Sequence, residues 1–301
     1  MYFSRVQLCP EVLKSSQLNR VLAGNVYGTH RLLWDLFSEE KRRYLYREEI
    51  AREQLGSLEN VRGESVYYLV SQSKPVEPEH SLFTVKSKPY QPQLSVGQIL
   101  SFECRANPVV TKNAKKHDVA MNSQLVLLND LVQKFNLQSK LPANITKRDY
   151  KKLLLAHGGD VLNQYLTEIL SNDNRYAERL EQKLSLTGKL EWSIKAQVDQ
   201  ALESWWIKQG KRCGFELMID HSGLSTVQNS TYQWHALPEK GKQAGFSSVD
   251  FTGELQVTDI EKFKQALFDG IGRSKAFGCG LLMIKRTKST IYFPCIRLKP
   301  S

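Results

Sequence analysis

Apolar residues in this chain keep two different periods, and the two are segregated along its length. Segments rich in β-formers come first, at 2–9, 44–48, 65–71 (SVYYLVS), 83–86 and 99–106 (ILSFECRA). Residues 120–208 then carry helical spacing throughout. Leu125, Leu128, Leu131 and Val132 mark one amphipathic segment, and Leu162, Leu166, Ile169 and Leu170 mark a second. Val198, Leu202 and Trp205 mark a third, and Pro142 separates the first from the second. Strand patterning returns at 249–257 and 281–284. Such a chain belongs to the α+β class.

The first strand is followed by Leu22, Val26, Thr29, Leu33 and Leu36, a buried helical stripe ending near Phe37. Strand, helix, strand, strand is the opening of a ferredoxin-like βαββαβ domain, here residues 1–97, although its second helix is poorly marked. A second unit, 98–301, opens at Ile99. Near its end, Thr258 and Glu261 form a capping box, and Ile260, Phe263, Leu267 and Ile271 line the inner face of the helix that follows. A glycine-rich turn, GIGRSKAFGCG at 270–280, leads into the last strand. The expected plan is two tandem ferredoxin-like (RRM-like) domains, the second interrupted by a helical insertion at about 120–199.

With 301 residues the chain has material for two cores. Its 42 Lys and Arg against 31 Asp and Glu leave a formal charge of +11, which favours a polyanionic partner. No basic amphipathic anchor or lipidation motif is present and no apolar run approaches ~20 residues, so nucleic acid is favoured over a membrane. The N-terminus reads as a strand and not as a signal peptide. Cys9, Cys104, Cys213, Cys279 and Cys295 are scattered and form no CxxC pair. Neither a disulfide framework nor a zinc site is indicated, and a reducing cytoplasm fits best. No HExxH or paired-Asp motif calls for a catalytic metal, and no cofactor is expected. His80, His117, His157, His221 and His235 read as isolated surface residues.

Chemistry concentrates at Tyr27-Gly-Thr-His30-Arg31. At 100° per residue, His30 sits about 80° from the centre of the helical stripe, Tyr27 about 60° beyond it, and Arg31 opposite the stripe. Imidazole, phenol and guanidinium on one helix flank suit phosphodiester chemistry: a neutral-range proton carrier, an aligning hydroxyl and a phosphate fork. Spacing alone nevertheless favours the plainer reading, a boundary histidine bonded to a neighbour. The turn at 270–280 offers close backbone approach to a phosphate, with donors from Arg273, Ser274 and Lys275. A glycine-terminated helix and tight turn explains it equally well, and it matches no nucleotide-binding motif. Arg105, Lys112, Lys115 and Lys116 form a basic run leaving the strand at 99–106, with further clusters at Lys147-Arg148, Lys151-Lys152 and Lys211-Arg212. Most such runs are solvated faces.

Four stretches together resemble the CasE family of the Cas-six superfamily, the crRNA-processing subunits of type I-E Cascade. They are Met1-Tyr2-Phe3-Ser4-Arg5-Val6, Tyr27-Gly-Thr-His30-Arg31-Leu-Leu-Trp34, Phe102-Glu-Cys-Arg105-Ala-Asn-Pro108 and the glycine-rich loop beginning Gly270-Ile-Gly272. The resemblance covers roughly 1–119 and 200–286. It implies two ferredoxin-like domains and metal-independent cleavage of CRISPR repeat RNA beside a stem-loop, with the product retained and other Cascade subunits as partners. It also implies that His30 is catalytic, that Tyr27 assists and that Arg31 lies close to the scissile phosphate. Arg105, Lys112, Lys115 and Lys116 would follow the RNA hairpin, and Arg273, Ser274 and Lys275 would lie near the groove. The helical block and the tail after Lys285 depart from the family's usual plan. Two rivals are a non-catalytic crRNA-binding subunit and a general RNA- or DNA-binding RRM-like protein. The second is weakened by the lack of an RNP1-like strand.

Overall fold

The computed structural model describes residues 1–9, 26–38, 44–50, 65–76, 82–142, 145–241, 244–287 and 293–294. In chain order the elements begin with β1 (Tyr2–Leu8), α1 (Val26–Trp34), β2 (Tyr44–Ile50), β3 (Ser65–Ser71), β4 (Phe83–Pro89) and β5 (Ile99–Ala106). There follow β6 (Val109–Lys112), β7 (Lys115–Asp118), α2 (Val119–Lys134), α3 (Lys147–His157), α4 (Gly159–Ser171) and α5 (Leu186–Cys213). The last are β8 (Phe215–Ile219), β9 (Gln228–Ala236), β10 (Gly245–Val257), α6 (Ile260–Asp269), β11 (Leu282–Arg286) and β12 (Phe293–Pro294). The chain divides into two compact units: Met1–Asn107 with Gln209–Leu217 and Ser230–Thr290, and Pro108–Lys208 with Met218–Asn229 and Ile291–Ser301.

The first unit holds two antiparallel sheets of one topology. The first runs β2-β3-β1-β4. Strand alternation sends Ser4, Val6 and Leu8 of β1 to one face, where Val6 and Leu8 join Leu33, Leu36, Tyr46, Tyr67, Leu69 and Phe83 in a core. Full burial of each large apolar side chain there contributes about 1.5–3 kcal/mol before the entropy of ordering it. The expected stripe of α1 is met by buried Thr29, Leu33 and Leu36, while Leu22 and the side chain of Val26 lie outside the described residues. Between β3 and β4, residues 72–76 and 82 form no helix, and 77–81 lie outside the described residues.

The second sheet repeats the permutation, β11-β5-β10-β8, with β9 beside β10. Read along the chain, β5, α5, β8, β10, α6 and β11 alternate as a ferredoxin-like domain does. One local expectation is corrected. The cap of α6 is Asp259 and not Thr258: its carboxylate accepts from the Lys262 backbone amide and pairs with the Lys262 ammonium at 2.8 Å. With the cap at 259 the third helical residue is a lysine, so Glu261 cannot close a capping box. Phe263 and Leu267 are buried as expected, while Ile271 is buried beyond the helix end at Gly270.

The second unit is mainly helical. Leu128, Leu131, Val132, Leu154, Leu162, Leu166 and Leu190 form its core. Leu125, expected on the stripe of α2, is instead exposed: the buried face runs through Val119, Ala120, Ser123, Leu128, Leu131 and Val132. The block is interrupted at 135–142, 145–146 and 172–185, where turns, short 3₁₀ segments and irregular backbone replace α-helix. No proline breaks 186–213, and α5 runs unbroken through the expected end of the insertion at about 199. Among the described residues no helix is long and apolar enough to cross a membrane.

Candidate active site

Helix α1 turns Thr29 and Leu33 into the core, which leaves His30 partly buried at the rim and Arg31 exposed. The His30 ring meets Tyr44, the first residue of β2. The Tyr44 hydroxyl lies 3.1 Å from His30 Nδ1 and donates to the His30 carbonyl at 3.0 Å. Trp34, one helical turn on, presents an edge contact to the imidazole with centroids 5.5 Å apart. Tyr44 itself is buried and stacks on Phe37 at 4.8 Å. The side chain of Tyr27 lies outside the described residues, although its backbone belongs to the first turn of α1.

Two residues along β2, on the same side of the strand, Tyr46 donates its hydroxyl to the Ala276 carbonyl at 3.4 Å. Burial pushes this phenol well above the usual tyrosine range, with the charge of Glu48 a smaller cause in the same direction, so it stays a donor. One strand therefore holds His30 through Tyr44 and the glycine-rich loop through Tyr46. The short 3₁₀ turn Lys275–Phe277 packs against both α1 and β2. Lys275 and Tyr44 line a common cavity of about 270 Å³, together with Ser71, Gln72 and Asp269.

The loop is tied down at both ends. Ile271 donates to the Gly280 carbonyl at 2.9 Å, and Gly280 donates to the Arg105 carbonyl at 2.7 Å. A Cβ at Gly280, where φ is +91°, would lie 2.8 Å from the Ile271 oxygen, so the closure requires glycine. Arg273 bridges to Asn107 in antiparallel fashion, and buried Asn107 donates from Nδ2 to Ser274 Oγ at 2.6 Å. On the other side Phe277 stacks on Phe246 at 5.2 Å, and Phe246 on His235 at 4.6 Å. His235 is thus no surface residue: it also bonds Ser248 through Nε2 at 2.7 Å.

Among the basic residues, Arg105 is engaged inside the protein. Its Nε and Nη2 reach both oxygens of Asp250 at 2.8 and 3.0 Å, and Nη1 donates to the Glu48 carbonyl at 3.2 Å. Lys112, Lys115 and Lys116 belong to the second unit, exposed on the β6–β7 hairpin, whose turn residues Asn113 and Ala114 both have positive φ. In the same unit Lys151 pairs with Glu191 at 2.7 Å, and Lys147 contacts Met121 and Gln124. The structure thus sets the helix that carries His30 and the turn that carries Lys275 against β2. Sequence reasoning missed Tyr44, Tyr46 and Asn107. Asn107 lay inside the quoted stretch 102–108, whereas the tyrosines offered only their strand alternation.

A family described as CRISPR associated protein matches residues 1–286. No curated protein matches the chain. Three solved structures share the fold. One is a CRISPR endoribonuclease Cse3 bound to 19 nt RNA: TM-score 0.56, 21% identity, 95% of this chain and 100% of that one covered. Thermus thermophilus Cse3, bound to an RNA representing a pre-cleavage complex, gives TM-score 0.56 and 20% identity over 94% and 98% of the two chains. A CRISPR-associated protein from Thermus thermophilus gives 0.53 and 20% over 95% and 100%.

Proposed function

The chain belongs to the family of CRISPR-associated proteins, and from that premise we propose that it is a CasE-type endoribonuclease acting on CRISPR repeat RNA. It cuts beside the stem-loop without a metal, keeps the mature crRNA, and works in the cytoplasm as a subunit of Cascade. The observation that carries this reading is the double grip of β2. A histidine able to move protons and a loop rich in phosphate donors are held by neighbouring residues of one strand, Tyr44 and Tyr46. A fold shared with an RNA-bound endoribonuclease supports it.

In the proposed reaction the 2′-oxygen attacks the adjacent phosphorus and the 5′-oxygen leaves, giving a 2′,3′-cyclic phosphate and a 5′-hydroxyl. His30 transfers the proton, Tyr27 aligns the reacting groups, and Arg31 offsets charge on the phosphorane. Arg273, Ser274 and Lys275 contact the RNA near the cut, and the lysines of the β6–β7 hairpin, Lys112, Lys115 and Lys116, contact phosphates of the stem. Arg105, clamped to Asp250, serves the glycine-rich loop by holding the strand end to which it is tied.

The test is to incubate the purified protein with end-labelled repeat RNA and read the product termini. Cyclic phosphate and 5′-hydroxyl ends are expected, with full activity in EDTA and none on RNA carrying a 2′-deoxy nucleotide at the cut. Tight binding without any cleavage would leave only the non-catalytic scaffold. Loss of cleavage in EDTA would overturn the metal-free chemistry.

A further inference from the structure

We propose that Tyr44 sets the tautomer of His30, so that Nε2 is the ring nitrogen that exchanges a proton with the RNA. The role in cleavage rests on the nuclease reading above; the tautomer itself rests on geometry alone. The Tyr44 hydroxyl has a single proton and two partners on one residue, the His30 carbonyl at 3.0 Å and His30 Nδ1 at 3.1 Å. A carbonyl oxygen only accepts, so the hydroxyl proton goes to it. Nδ1 must then carry its own hydrogen and donate to the phenol oxygen, which puts the lone pair of the neutral ring on Nε2.

Free histidine prefers the opposite tautomer, so this arrangement is a bias imposed by the fold. It is held firmly. Tyr44 is buried, stacked on Phe37, and paired through β2 with Ser71 of β3. Because the hydroxyl grips both the ring and the backbone of His30, it also fixes the ring's rotation relative to α1. The edge of Trp34 limits that rotation further.

During cleavage the bond from the 2′-oxygen to phosphorus forms, the bond to the 5′-oxygen breaks, and one proton passes overall from the first oxygen to the second. Whether His30 takes the proton or delivers it, the transfer runs through Nε2. Tyr44 accepts from Nδ1–H in both states of the ring and so stabilises the imidazolium. It is a positioning residue.

Nitrogen-15 NMR of the histidine-labelled full chain tests this without RNA, at a pH where imidazoles are neutral. A His30→Gln variant identifies the His30 signal among the six histidines. The expected wild-type ring is protonated at Nδ1, and Tyr44→Phe should convert it to the Nε2-protonated form. The same variant should keep its RNA affinity and cleave about ten-fold more slowly. A wild-type ring protonated at Nε2 overturns the proposal, as does Tyr44→Phe cleaving at the wild-type rate. Should that variant fail to fold, the wild-type spectrum decides. If the ring is protonated at Nδ1 but His30→Gln still cuts at full rate, the nuclease reading fails and the catalytic role of Tyr44 fails with it.

Discussion

His235 shows how one side chain couples the loop's support to pH. Burial lowers its pKa, the positive charge of Arg105 lowers it further, and Asp250 opposes both. An ordinary histidine titrates near 6.5, so as acid is added the unfolded chain takes up this proton before the folded one. The stabilisation from keeping the ring neutral is complete above that value and is lost as pH falls toward the folded pKa. Thermal unfolding should therefore show wild type losing more stability than His235→Gln between about pH 7.5 and 5.5. Equal losses would remove His235 from the account. Sequence reasoning assigned this residue to the surface because its partners, Phe246 and Ser248, lie across a strand pair and leave no local pattern. Tyr44 escaped for a related reason. Its role depends on a contact fourteen residues back along the chain, between a strand and a helix. His30 was legible only through its motif, since its spacing alone described a boundary residue.

At the scale of elements, strands whose alternation is rich in β-branched and aromatic residues were readable with their ends. Segments 65–71 and 99–106 appear as β3 and β5 without change. Helix limits were less legible, because competing caps stand side by side at Thr258 and Asp259, and because α5 offers no break near 199. The β6–β7 hairpin was read only as a basic run: its turn is Asn113-Ala114, without the glycine that usually announces such turns. Its exposed lysines carry a prediction. Binding should weaken with salt by a logarithmic slope of about −0.7 to −0.9 per phosphate contacted. Replacing Lys112, Lys115 and Lys116 by alanine should reduce the magnitude of that slope by about 2–3. A slope identical to wild type would take the hairpin off the RNA.

For the whole molecule, the repeated strand order in two sheets was expected from the strand–helix succession, and the charge of +11 fits a polyanionic ligand. The meeting of α1 with the 270–280 loop could not be read from either segment, because it depends on β2 supporting both. That support makes the central claim a matter of chemistry at one ring. The direct test is single-turnover cleavage of repeat RNA by wild type and His30→Ala, with affinity measured in parallel. The expected result is a loss of about 10²–10⁴-fold in rate with affinity nearly unchanged. Cleavage by His30→Ala at the wild-type rate would contradict the account.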